Sequence, residues 1–216
     1  MNKEFKKRIL SSLILIPLVL IIIIKGTFIF NLFLIFCLCI ILYEWHMMSS
    51  KKNYYYFGII FLIFSFYTIY KFYNFNDNYL NFLFILLICI STDIGGFVFG
   101  KLLKGPKLTS ISPNKTYSGA IGGYILSIIN VTLFFKFSFL FYDKIEILIS
   151  TYVMTVIISS VSQIGDILVS YSKRLSNIKD TGKIIPGHGG LLDRADGMIF
   201  AFPFSYLTLS TNFNFF

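Results

Sequence analysis

Between Ser170 and Asp196 the chain reads SYSKRLSNIKDTGKIIPGHGGLLDRAD, a polar stretch in an otherwise apolar protein. Lys173, Arg174, Lys179, Asp180, Lys183, Asp193, Arg194 and Asp196 carry its charge, and Asp166 stands one helical turn upstream. Two of the chain's three arginines and one of its two histidines, His188, fall here. Basic groups, carboxylates and glycine-rich backbone together suit a phosphate-bearing substrate held through a divalent metal. Such charge is expensive to place beside a membrane without a use.

Gln163, Asp166, Ser170, Lys173 and Arg174 recur at helical spacing, so one stripe of a helix carries them out of an apolar run. A carboxylate inside such a run faces the bundle interior and a partner; the bland alternative for Asp166 is an ion pair with Lys173. Lys173 and Arg174 by themselves could be snorkelling anchors. Pro186-Gly187-His188-Gly189-Gly190 lets backbone amides approach an anion. A glycine-rich turn alone is commonplace, and Walker A spacing is absent. Asp193 and Asp196 share one helix face and offer hard oxygens for Mg²⁺. Complementing a helix dipole would account for one of them, but hardly for both plus Arg194.

A second cluster lies between Ser91 and Gly119. Asp93 sits within an apolar segment, Gly96 and Gly100 form a G-x-x-x-G that permits close helix packing, and Ser112-Pro113-Asn114-Lys115-Thr116 is a hydroxyl- and lysine-bearing turn suited to phosphate. Glu44-Trp45-His46 reads as a membrane interface with Trp45 as its anchor. His46 has no visible partner and carries no catalytic expectation.

The elements that must position these groups are transmembrane helices. Of the 216 residues 56% are hydrophobic and 13% charged, with a mean hydropathy of +0.76, more apolar surface than a soluble domain of this size could hide. At about 20 residues per crossing, the apolar runs predict spans near 9–24, 27–43, 54–70, 79–100, 118–135, 145–169 and 197–213, with a tight turn at Lys25-Gly26. The first run is read as a retained helix, because no small-residue cleavage site follows it. Cys37, Cys39 and Cys89 lie in apolar runs without metal or disulfide spacing and read as ordinary side chains. With the N-terminus cytoplasmic, 15 of the 19 basic residues fall in cytoplasmic segments, including the loops 101–117 and 170–196. The net charge of +9 is thus explained by membrane side, and nucleic acid is not an expected partner.

The spacing of Ser170, Lys173-Arg174, Lys179-Asp180, Pro186-Gly187-His188-Gly189-Gly190 and Asp193-Arg194-Ala195-Asp196 resembles the C-terminal signature of the phosphatidate cytidylyltransferase family. Gln163-x-Gly165-Asp166, Asp93-x-Gly95 and Ser112-Pro113-x-Lys115-Thr116 match it too. Ser172, Ala195 and Ser118 depart from residues the family prefers, and none removes a group assigned to chemistry. The apolar runs and basic bias predict an all-α polytopic membrane protein with about seven transmembrane helices, and with the motifs they put the active site at the cytoplasmic side of its C-terminal half. They imply one integral-membrane domain over residues 1–216, with N-terminal helices in 1–78 and the motif-bearing catalytic half in 79–216.

The reaction implied by the resemblance is transfer of a cytidylyl group from CTP to phosphatidate, giving CDP-diacylglycerol and pyrophosphate. The catalytic set is then Asp166, Lys173, Arg174, Asp193, Arg194 and Asp196. Substrate would be held by Asp93, Ser112, Lys115, Thr116, Lys179, Asp180, His188, Gly189 and Gly190. Asp166 and Asp193 would share one Mg²⁺; a second, monovalent cation and a homodimer stay open. The expected location is a bacterial inner membrane. A CDP-alcohol phosphatidyltransferase wants a longer motif than Asp193–Gly197 offers, and a transporter would show paired broken helices in related halves, which the sequence lacks.

Overall fold

The computed structural model describes residues 17–74, 79–138, 149–184 and 189–210. Their long regular elements are helices, and an isolated bridge pairs Lys107 with Thr116 in the loop between two of them. Residues 17–24 are helical (α1), followed by α2 (Thr27–Ser49), α3 (Tyr55–Tyr73), α4 (Tyr79–Leu103), α5 (Tyr117–Ser138), α6 (Ile149–Leu175), the single turn α7 (Leu192–Ala195) and α8 (Met198–Ser210).

Five of these, α2 to α6, are long and apolar enough to cross a bilayer. They correspond to the five middle runs of the sequence, and the protein is an integral membrane protein. Residues 9–16 and 211–213 of the two outer runs lie outside the described residues. Within them α8 has 13 residues, with Pro203 inside it. Outward-facing side chains such as Phe28, Tyr56, Phe57, Phe97 and Leu102 present large apolar surface, as a lipid-solvated bundle must.

The chain gathers into two compact units, each discontinuous in sequence: residues 1–79 with 172–196, and 80–171 with 197–216. In the first, the chain turns at Lys25-Gly26, as the sequence predicts. The Tyr73 hydroxyl donates to the Ile23 carbonyl at 2.6 Å, and its ring stacks on Phe30. Trp45 is buried rather than turned outward as an anchor. Its ring lies where a Cβ on Gly58 would stand, and its Nε1 donates to the Tyr55 carbonyl at 3.0 Å. His46 does have a partner, the Tyr55 hydroxyl at 2.8 Å.

In the second unit α4 and α5 meet through glycine. A Cβ on Gly95 would stand 2.4 Å from the Gly122 carbonyl oxygen, and one on Gly119 would stand 2.7 Å from that of Gly96. Lipid offers helices no hydrophobic drive to associate, so small residues and interhelical hydrogen bonds supply the contact. Thr92 donates to the Ser159 hydroxyl at 2.8 Å and Asn130 to that of Ser91 at 2.8 Å, among fully buried Ile85, Ile88 and Ile158. The G-x-x-x-G expectation is met at Gly100 and Gly119, although the tightest approach to a neighbouring backbone is at Gly95.

Candidate active site

The polar stripe of the sequence lies on α6, as its spacing predicts. Its members have different partners.

In the second unit Asp166 pairs with Lys115, Nζ to Oδ2 at 2.6 Å, and its Oδ1 accepts from the Ser170 hydroxyl at 3.3 Å. Gln163 donates to the Ala120 carbonyl at 3.4 Å. Lys115 is delivered by a closed loop. Leu108 N–H donates to the Lys115 carbonyl at 2.8 Å, and Lys115 N–H to that of Ser112 at 3.0 Å. The Thr116 hydroxyl accepts from Gly119 N–H at 3.1 Å and so caps α5. Asp93 lies exposed on α4. The side chain of Asp166 is 29% exposed.

In the first unit Lys173, 9% exposed, reaches Asp193 rather than Asp166, Nζ to Oδ1 at 2.9 Å. Asp193 Oδ2 accepts from Thr181 N–H at 2.8 Å and from Gly190 N–H at 3.0 Å. Burial alone would raise the Asp193 pKa. The Lys173 hydrogen bond and the Gly190 and Thr181 amides outweigh it and hold the carboxyl below its usual range, so it is ionised at neutral pH. Gly189 has φ +90° beside it, a conformation that strains any residue with a Cβ.

Thr181 also turns its hydroxyl to a second carboxylate, Glu44 of α2, donating to Oε2 at 3.0 Å. Leu191 N–H donates to Glu44 Oε1 at 2.9 Å and Leu192 N–H to Oε2 at 2.8 Å. Sequence reasoning missed this role. The signal was present, because the penalty for a carboxylate in an apolar run that singled out Asp166 applies equally to Glu44.

The structure therefore brings Lys173, Asp193, Gly189 and Gly190 together, and Lys115 with Asp166, Ser170 and Thr116 close by in the same loop and helix. Arg174, Lys179, Asp180 and Arg194 are exposed, and Asp196 is buried. His188, with Ile185, Pro186 and Gly187, lies outside the described residues. Among the described residues no three His, Cys, Asp or Glu gather into a metal-holding group. Mg²⁺ is commonly held by one or two carboxylates and completed by substrate phosphates and water. Asp166 and Asp193, each salt-bridged by a lysine, are carboxylates of the kind that would hold such a metal, and the paired lysines would then neutralise phosphate charge.

Residues 6–76 and 61–212 match the model of the Cytidylyltransferase family. The phosphatidate cytidylyltransferase of Rickettsia bellii is 34% identical over 206 residues, covering 91% of this chain and 87% of that protein. The protein of the same name from Rickettsia felis is 35% identical over 207 residues, 91% and 88% of the two chains. With its namesake in Bacillus subtilis the identity is 39% over 133 residues, and the match spans about half of that longer protein (48%).

Proposed function

Because this chain belongs to the cytidylyltransferase family, we propose that it is the membrane enzyme that transfers a cytidylyl group from CTP to phosphatidate, yielding CDP-diacylglycerol and pyrophosphate for phospholipid synthesis. An oxygen of the phosphatidate phosphate forms a bond to the α-phosphorus of CTP. The bond from that phosphorus to the bridging oxygen breaks, and pyrophosphate leaves with the electron pair. The attacking oxygen is already ionised, so no strong base is required. The work left to the protein is positioning and neutralising charge.

The observation that carries this reading is the seating of Lys173 on Asp193, 20 residues away in sequence, with the Gly190 amide on the other carboxylate oxygen. A lysine so held offers its ammonium to phosphate in a fixed place. Lys115 is held on Asp166 in the same manner. Arg174 and Arg194, both exposed, would grip phosphate bidentately. Lys179, Asp180, His188, Ser112, Thr116 and Asp93 complete the proposed substrate contacts. Asp166 and Asp193 are the carboxylates for Mg²⁺, with Asp196 as a helper. The metal would withdraw charge from the reacting phosphates.

We place the enzyme in a bacterial inner membrane with seven spans, a cytoplasmic N-terminus and its chemistry on the cytoplasmic side, where nucleotides are. A homodimer belongs to the same reading. The deciding assay is pyrophosphate release by purified protein with phosphatidate, CTP and Mg²⁺. Equal rates with ATP or GTP, or undiminished rates after chelation, would refute the nucleotide or the metal assignment respectively.

A further inference from the structure

Glu44 is 2% exposed and sits near the end of α2, more than 130 residues from its partners. Its two carboxylate oxygens accept three hydrogen bonds of 2.8–3.0 Å, from the Thr181 hydroxyl and the amides of Leu191 and Leu192. These donors come from two stretches of the loop that precedes Asp193, around Thr181 and immediately before it in sequence. Thr181 joins the two carboxylates directly, its hydroxyl on Glu44 and its amide on Asp193. Two glycines are moulded to the same side chain: a Cβ on Gly182 would stand 2.7 Å from Glu44 Oε1, and one on Gly190 would stand 2.6 Å from Oε2. A buried carboxylate is retained only when its lone pairs are met, and here they are met by the two stretches of loop that precede the lysine's partner.

We propose that Glu44 is a positioning residue for the reaction, a clamp that fixes residues 181–182 against 190–192 and thereby sets Asp193 and Lys173. It forms no ion pair with Lys173 itself and acts through Thr181 and the backbone of Leu191 and Leu192. Through Glu44 the N-terminal part of the chain is tied to the loop that carries Asp193. A carboxylate is required specifically: both oxygens receive donors, so the amide of glutamine turns an N–H toward at least one of them, and aspartate is one methylene too short to reach all three. The kinetic part of the proposal rests on the cytidylyltransferase reading; the clamp itself does not.

The test joins two readouts on the full-length protein in detergent: hydrogen exchange of peptides covering 180–184 and 189–195, and CTP-dependent pyrophosphate release. Glu44→Gln should raise exchange in those peptides at least tenfold, leave α3 and α4 peptides unchanged, and lower kcat/KM for CTP at least tenfold. Thr181→Val, which removes a single donor and keeps the backbone amide on Asp193, should give a smaller change of the same kind, and decides the matter if Glu44→Gln fails to fold. Unchanged exchange in the variants overturns the clamp, whether or not turnover falls. Faster exchange with unaltered turnover overturns the positioning role. If the wild-type protein releases no pyrophosphate, the functional reading fails, and the exchange data still decide whether Glu44 clamps the loop.

Discussion

At the scale of single residues, the site is built from carboxylates that hold other groups as much as they offer themselves. Asp193 accepts from a lysine and two amides, which keeps it charged in spite of burial. Asp193→Asn keeps the volume but presents an amide N–H to a pocket of donors and loses the charge that draws Lys173. It should lower kcat more than tenfold, a loss above about 1.4 kcal/mol, in a CTP- and Mg²⁺-dependent assay with the helical content unchanged by circular dichroism. Lys173→Met should do the same, leaving Asp193 buried without its counter-charge. Lys183, on the same loop and of the same charge, is exposed. Lys183→Ala should therefore change kcat/KM less than about threefold, in the range of surface substitutions away from such features. Equal losses at Lys173 and Lys183 would mean that loop charge, not a seated ammonium, matters.

At the scale of elements, glycine decides how closely α4 and α5 approach. Gly95 is packed against backbone, which has nowhere to go, whereas a Cβ on Gly96 would meet nothing nearer than 3.9 Å. Gly95→Ala should cost about 1–3 kcal/mol, as overpacking does, and lower the Tm in detergent. Gly96→Ala should leave it within about 0.5 kcal/mol of the wild type. If the two variants melt alike, the helices are not in the contact described. The distinction is invisible in the sequence, where Gly96 and Gly100 form the recognisable motif and Gly95 does not.

At the scale of the whole molecule, the distribution of basic residues predicts a cytoplasmic N-terminus. Cysteine labelling from outside intact cells should miss positions 51, 105 and 179 and reach positions near Asn76 and Asp143, the latter two outside the described residues. Labelling of positions 105 and 179 from opposite faces would separate the Lys115 loop from the signature loop and end the single-site reading. Much of this protein was legible in its amino-acid order. Long apolar runs must become helices in lipid, because the backbone has no water to bond; the polar stripe of α6 follows from its 3.6-residue period; and the spacing from Ser170 to Asp196 is specific enough to carry the resemblance. What only the tertiary structure decided is which charge meets which. Asp166 has Lys173 two turns along its own helix, and the sequence offers that pair as the plain alternative. The structure instead gives Asp166 to Lys115 and Lys173 to Asp193. Glu44 likewise found donors 137 to 148 residues away. A helical period says which face a side chain is on, but its partner is set by the elements that fold against that face, and these lie far along the chain.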